Sequence, residues 1–175
     1  PAVAQQTWKV NCNGAYGAQF TDLQAAVNAA SPGDTILAYR AYMACNTPGS
    51  TLQAPTINKP LRIVGFSTLG QPGNSSPDPL GLNGMITITG IQSGQFCSLS
   101  NITQGYLSSG ITLSNCSGKV LIEDYRLQSL GSTGYSITIT NCADVTFRGC
   151  SFGLGGFPIT ITDSNVSRRH AVSST

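Results

Sequence analysis

The chain has 175 residues, of which 40% are hydrophobic and only 9% are charged, and its formal net charge is +2. This length suits one hydrophobic core, so we expect a single domain over residues 1–175. The small and scattered charge does not favour nucleic acid or an anionic membrane as a partner, and no apolar run approaches the ~18 residues of a membrane-spanning helix.

The N-terminal segment 1–34 is predicted to contain a strand followed by a short capping helix. Residues Thr21–Ala30 carry apolar side chains at helical spacing and end at a Ser-Pro-Gly turn. Thr21 and Gln24 have the spacing of a capping box. The apolar side of this helix must cover something apolar, and the open end of a strand stack is such a surface. Residues 1–6 are typical of a mature end left after removal of a signal peptide.

The segment 35–84 is predicted to form the first coils of a strand stack. Thr35–Tyr39 and Leu61–Val64 are rich in aliphatic and β-branched residues, as strands are. Thr68–Gly84 is rich in proline and glycine, so we expect an excursion loop there rather than a linker between domains.

In the segment 85–175, a short motif with alternating hydroxyl and aliphatic residues returns four times after an isoleucine. The copies begin at Thr87, Thr112, Thr138 and Thr160, so the repeat is 22 to 26 residues long. This alternation predicts strands with one buried and one exposed side. One such strand per repeat indicates a solenoid, in which the coils bury a common core only by stacking.

The coils can be aligned through the residues that follow each motif. Three polar residues share one turn position, namely Asn115, Asn141 and Asp163. Such a ladder is favoured because these side chains bond to neighbouring backbone and tolerate a left-handed conformation. Two inward stacks are also expected, one of Val120, Val145 and Val166 and one of Ile122 and Phe147.

With these features, the chain resembles the pectin-lyase-like superfamily from about Trp8 to Val166. The segment Phe20–Ile36 looks like the N-terminal coil of that superfamily, and the later coils are similar to its repeats, including the asparagine ladder. The resemblance implies an all-β fold, a single-stranded right-handed parallel β-helix with one short N-terminal capping helix. Because the superfamily includes lyases, hydrolases, adhesins and proteins with no known activity, the resemblance predicts the fold and not the function.

One segment departs from the superfamily pattern. A short Pro-Gly-Thr-Tyr-like turn usually follows the N-terminal coil, whereas this chain has Tyr39–Cys45. Tyr39 and Tyr42 in this turn are candidates for an exposed contact with a sugar ring.

Six cysteines occur, and none forms a CxxC motif or stands at zinc spacing from the single histidine. We therefore expect neither a metal nor an organic cofactor. In an exported protein a disulfide between Cys12 and Cys45 is favoured, because these residues flank a segment that a covalent cross-link would restrain. Cys116 and Cys142 both follow a ladder asparagine, so they should stack on adjacent coils, either as a disulfide or as a reduced buried pair.

An enzyme of this superfamily would need particular charged groups. A lyase needs a base for the proton α to a uronic carboxylate and cations or carboxylate-bound Ca²⁺ to stabilise the developing charge, and a hydrolase needs two carboxyl groups ~5–9.5 Å apart. The candidates are Lys119, Glu123, Asp124, Arg126, Asp144 and Arg148. The coil alignment places Lys119 beside Asp144 and Glu123 beside Arg148. Two cross-strand ion pairs would thus account for four of these groups without catalysis.

The repeated motifs also predict a binding face of outward hydroxyl groups. Its members form two ladders, Thr87, Thr112, Thr138 and Thr160 in one and Thr89, Ser114, Thr140 and Thr162 in the other. The ladders should lie about 6.6–7 Å apart along a strand, with ~4.8 Å between coils. Such a flat array is similar to the Thr-x-Thr faces of ice-binding β-solenoids and is also suited to a glycan. The alternative is that threonine is simply a favourable residue on an exposed strand.

The sequence favours a secreted or cell-surface β-helix module with a structural, adhesive or glycan-associated role and no catalysis. Arg168 falls on an inward position of the last coil, which suggests self-association through that coil. A polysaccharide lyase or glycoside hydrolase acting on an acidic polysaccharide is the second hypothesis, and an ice-binding protein is the third. The expected partners are a polysaccharide or surface ligand and further copies of the chain.

Overall fold

The structure is a computed structural model, and it describes residues 4–39, 52–66, 80–104, 109–127, 136–152 and 159–169. These residues form an all-β parallel solenoid of about five turns with one short helix. The solenoid expected from the repeat and the right-handed parallel β-helix that the resemblance implies are both confirmed. Every strand pairing within the described ranges is parallel.

The described elements are one helix and a succession of strands. The helix is α1 (Leu23–Ala29). The strands are β1 (Thr7–Val10), β2 (Thr35–Tyr39), β3 (Leu52–Gln53), β4 (Thr56–Ile57), β5 (Arg62–Phe66), β6 (Leu80–Asn83), β7 (Met85–Thr89), β8 (Phe96–Gln104), β9 (Gly110–Leu127), β10 (Ser136–Arg148), β11 (Ser151–Phe152), β12 (Ile159–Thr162) and β13 (Val166–Arg169).

The strands stack into three faces. The long face consists of β1, β2, β5, β8, the second halves of β9 and β10, and β13. The threonine face consists of β4, β7, the first halves of β9 and β10, and β12. A third, shorter face contains β3, β6, the ends of β8 and β9, and β11. The core lies between the three faces.

The core is built from inward side chains that occupy the same position on successive coils. The predicted valine stack is confirmed, since Val120, Val145 and Val166 are direct register partners. Ile122 and Phe147 form the second stack. Their burial removes a continuous apolar column from water, which stabilises each coil through its neighbours.

Helix α1 closes the N-terminal end of this column, and its start differs from the prediction. The N-cap is Asp22, whose carboxylate accepts a hydrogen bond from the Ala25 N–H at 2.7 Å. The predicted capping box between Thr21 and Gln24 is therefore wrong. The Gln24 amide is used elsewhere, because it accepts from the Thr56 N–H at 2.7 Å and donates to the Thr56 carbonyl at 3.2 Å.

The prediction of an excursion loop over 68–84 is wrong at its C-terminal end. Residues 67–79 lie outside the described ranges, but Leu80–Asn83 form strand β6. Leu80 and Leu82 alternate with polar or small residues and are buried, so this stretch has the strand period despite its glycines.

The polar corner ladder is confirmed, and the structure contains a second one. Asn115, Asn141 and Asp163 have φ values of 53°, 54° and 47°, which asparagine and aspartate tolerate better than other L-residues. Asn101 and Asp124 adopt the same left-handed conformation, with φ values of 56° and 48°, at the corner that follows the long face.

Candidate functional site

The threonine face carries hydroxyl groups in two uninterrupted rows. The first row runs through the register partners Thr87, Thr112, Thr138 and Thr160. The second row runs through Thr89, Ser114, Thr140 and Thr162. The aliphatic residues between the two rows point inward, so the hydroxyl groups lie on the outer surface, half-buried in β7, β9 and β10 and exposed in β12.

The first row has a fifth member that the sequence did not reveal. Thr56 of the short strand β4 is the direct register partner of Thr87. It escaped detection because it follows Pro55 rather than an isoleucine, and because no second threonine follows Ile57. The dipeptide Thr56-Ile57 is the one signal that could have placed it.

The geometry of the two rows is regular and electrically neutral. The paired strands keep one register across this face, and the irregularity between β9 and β10 falls later, between Cys142 and Asp144. The rows contain only threonine and serine, and Ser114 Oγ donates a hydrogen bond to Thr89 Oγ1 at 3.0 Å. The surface is therefore a regular array of hydroxyl and methyl groups with a repeat of ~4.8 Å between coils.

The charged residues of the long face form the two ion pairs that the alignment predicted. Lys119 Nζ lies 3.8 Å from Asp144 Oδ2, and the Arg148 guanidinium contacts the Glu123 carboxylate. Both pairs join direct register partners of β9 and β10. Each charge is thus neutralised by its neighbour, and neither pair presents two carboxyl groups to a common substrate.

The remaining two candidates for catalysis are a corner residue and an exposed strand residue. Asp124 is a left-handed corner residue, and its carboxylate lies where a Cβ on Gly149 of the next coil would be. Arg126 is exposed and is the register partner of Thr103 and Ser151. Arg126 therefore belongs to the third face, whereas both ion pairs belong to the long face.

The cysteines of the regular coils are buried thiols. Cys116 and Cys142 are register partners and both are free, so the reduced stack is the correct alternative for this pair. Burial raises the pKa of the Cys116 thiol, and the neighbouring Cys142 adds to this effect. Cys12 is disulfide-bonded. Its expected partner Cys45 lies outside the described ranges, so that pairing stays a prediction.

The part of the chain that the structure describes offers little for other kinds of site. That part contains no group of three or more His, Cys, Asp and Glu residues able to hold a metal ion, and none of its helices has the length and apolarity to cross a membrane. A shallow depression of about 590 Å³ lies at the last corner, beside Asn141, Asp163 and Asn165.

The chain matches no family model, no curated protein and no solved structure.

Proposed function

We propose that this chain is a secreted or cell-surface, non-catalytic β-helix module of the pectin-lyase-like superfamily that binds a polysaccharide through its threonine face. The observation that carries the proposal is the pair of uninterrupted hydroxyl rows across as many as five strands. A neutral surface with this repeat suits a polymer that itself repeats hydroxyl and C–H groups along its length.

The rigidity of the face supports such binding. Threonine is β-branched and has few accessible rotamers, and each threonine of the inner strands is flanked by register partners on both sides. Little side-chain entropy is therefore lost on binding, which favours a weak contact repeated many times along a polymer.

A lyase or glycoside hydrolase is the second hypothesis, because most of the charged side chains that could serve in catalysis are paired with each other. Lys119, Glu123, Asp144 and Arg148 are engaged in ion pairs, and Asp124 forms a corner. Incubation with polyuronates and with neutral glycans tests this ranking. We expect neither unsaturated products nor new reducing ends. Catalytic turnover by the wild type that disappears in Glu123→Gln would place the enzyme hypothesis above the non-catalytic module.

The main proposal is tested by removing hydroxyl groups of the threonine face without changing the shape of the side chains that carry them. In the double variant Thr112→Val, Thr138→Val, each valine keeps the β-branch and volume of threonine, so the fold should persist. We expect the wild-type chain to co-sediment with an insoluble polysaccharide and the double variant to bind it much more weakly. Thr146→Val, on the long face, is the matched control and should bind as the wild type does. Binding by the double variant as tight as that of the wild type would contradict the proposal.

Ice binding is the second candidate for the same face. The observation in its favour is the constant register of the first row from Thr56 to Thr160, which makes the array regular in two directions. Inhibition of ice recrystallisation by the wild type, lost in the double valine variant, would assign the face to ice. Polysaccharide binding without an effect on ice would assign it to a glycan.

Self-association through the last coil is a further part of the proposal. Ile159 and Ile161 occupy the inward positions of Ile137 and Ile139, yet they are 52% and 49% exposed. Such an exposed apolar strand favours stacking on another copy of the chain. Light scattering over a concentration series tests it, and growth in mass that Ile161→Lys abolishes is the expected result. A monomer at every concentration would contradict it.

A further inference from the structure

Three aromatic rings from three different segments form a ladder at the N-terminal end of the long face. The ring of Tyr16 stacks on that of Tyr39 with a centroid separation of 5.3 Å, and Tyr39 stacks on Phe66 at the same separation. The ring planes differ by only 21° and 26°. Tyr39 and Phe66 are register partners that end β2 and β5, so the coil stack sets their spacing.

The ladder is exposed although its rings are large and apolar. Tyr16 is 45% and Phe66 38% exposed. On the outer side of the same strands, Leu37 and Val64 lie two residues before Tyr39 and Phe66 and are also half-exposed. Aromatic and aliphatic surface in one contiguous patch marks a site of contact more often than it marks a surface with no ligand.

The backbone beneath Tyr16 is held in a conformation that a bulky residue rarely adopts. Its φ is 62°, in the left-handed region, and this costs an L-residue about 1–2 kcal/mol relative to an ordinary conformation. Glycine would adopt the same φ without this cost. The presence of tyrosine at this position therefore indicates a functional role for its ring.

A buried polar side chain holds the segment that carries Tyr16. Asn11 is fully buried, and its side-chain oxygen accepts hydrogen bonds from the Asn13 N–H at 3.0 Å and the Ala15 N–H at 3.2 Å. Its amide group donates to the Tyr39 carbonyl at 3.3 Å. One side chain thus fixes the turn before Tyr16 and the strand end at Tyr39, so that the two rings are aligned before any ligand arrives.

We infer that Tyr16, Tyr39 and Phe66 form a platform on which the C–H face of a neutral pyranose sugar stacks. Aromatic rings bind the apolar face of a sugar, and the phenol groups of the two tyrosines supply polar edges for its hydroxyl groups. The outward neighbours of the ladder on β2 and β5 are apolar, whereas Arg62 lies at the opposite end of its strand. Lys9 on β1 is the outward register partner of Leu37, so the stacked rings, and not the charge around them, carry the choice of a neutral sugar.

This inference deepens the proposed glycan binding, but it concerns a different face of the solenoid. The ladder lies on the long face, and the hydroxyl rows lie on the threonine face. The two sites can therefore be removed separately.

The test is affinity electrophoresis of the full chain in gels that contain neutral soluble polysaccharides, namely a β-glucan, a mannan and a xylan, with polygalacturonate as the charged comparison. We expect at least one neutral polymer to retard the wild type. Tyr16→Gly should weaken that binding about tenfold, and Tyr16→Phe should retain most of it. Phe96→Ala, which removes an aromatic ring that is 41% exposed outside the ladder, is the matched control and should bind normally.

A stability measurement separates recognition from a purely structural role. Because the relief of left-handed strain offsets the lost ring contact with Tyr39, Tyr16→Gly should unfold at about the same temperature as the wild type, although it binds less. A large drop in its melting temperature with unchanged binding would overturn the platform. So would retardation by polygalacturonate alone, or a concentration-dependent self-association that Tyr16→Gly abolishes.

The experiments can contradict the aromatic platform and the threonine face separately. If Tyr16→Gly binds normally while Thr112→Val, Thr138→Val does not, the platform is wrong and the proposed function stands. If the wild type binds no glycan in gels or in sedimentation, both are wrong.

Discussion

Asn141 donates a hydrogen bond from Nδ2 to Oδ1 of Asn115 on the preceding coil, at 3.3 Å, and both residues are left-handed. The corner therefore satisfies two demands with one residue type. Asparagine tolerates the positive φ that turns the chain from one face to the next, and its amide repeats the interstrand hydrogen bond with side-chain atoms.

The first prediction concerns this corner. Asn141→Ala should lower the free energy of unfolding by about 1–2 kcal/mol, because alanine at a φ of 54° is strained and cannot bond to Asn115. Asn141→Gly removes the same bond without the strain, so it should cost much less. Urea unfolding followed by circular dichroism measures both. Equal losses in the two variants would show that the conformation at the corner is not what asparagine supplies.

The regular coils could be predicted from the sequence because their length varies little. Aligning one threonine motif of β9 and β10 also aligns the asparagine corner, because both repeat at the same offset. The valine stack and the ion pair of Glu123 with Arg148 repeat at an offset one residue shorter, after the register shift between Cys142 and Asp144. They could be predicted only because hydrophobic alternation aligns the second strand of each coil separately.

The earlier coils could not be predicted in the same way, because segments of variable length separate their strands. The register of Thr56 with Thr87 and the short strand β6 depend on where the chain returns after such a segment. Tyr16 meets Tyr39 only because a turn held by Asn11 folds back onto the end of β2. The N-cap was missed for a local reason, since Asp22 is as favourable an N-cap residue as Thr21 and lies one position later.

The second prediction concerns Asp34, a buried carboxylate at the N-terminal end of the solenoid. It accepts hydrogen bonds from the Gln6 N–H at 2.8 Å, the Trp8 indole N–H at 2.9 Å and the Ser31 N–H at 2.8 Å. Burial opposes ionisation, but these bonds outweigh it, and the pKa of Asp34 lies below its ordinary value of 3.8. Ionised Asp34 therefore stabilises the folded chain.

The sign of the resulting pH dependence follows from this lowered pKa. Above pH 3.8 the stabilisation is fully present, and it is lost as the pH falls through 3.8 towards the lower pKa of the folded state. Asp34→Asn should cost about 2 kcal/mol at pH 7 and should show a smaller further loss in acid. Urea unfolding at pH 7, 4 and 3 checks this, and parallel pH profiles of the two proteins would contradict it.

The third prediction concerns the ion pair between Glu123 and Arg148. Their side chains are 31% and 52% exposed, so water screens the attraction. A double-mutant cycle with Glu123→Gln and Arg148→Met should give a coupling energy below about 1 kcal/mol, and less in high salt. The cycle of Lys119→Met with Asp144→Asn is the matched comparison. A coupling of several kcal/mol that salt does not change would mean that the pair is far less hydrated than this geometry implies.

The fourth prediction concerns alkaline pH. Burial raises the pKa of the Cys97 thiol from 9.0 to about 11. Above pH 9 the unfolded chain loses this proton while the folded chain keeps it, so the free energy of unfolding should fall between pH 9 and 11. The contribution of Cys97 to that fall is about 2–3 kcal/mol, and Tyr125, whose pKa burial also raises, acts in the same direction.

Replacing Cys97 by valine isolates the contribution of the thiol. Valine occupies the same register position on the next coil, at Val120, so the core can hold it there. We expect the stability of Cys97→Val to fall less steeply from pH 9 to 11 than that of the wild type, whatever its value at pH 7. Val145→Ala, which weakens the core without removing an ionisable group, should keep the wild-type slope. If Cys97→Val keeps that slope as well, the thiol ionises in the folded chain as readily as it does in the unfolded one.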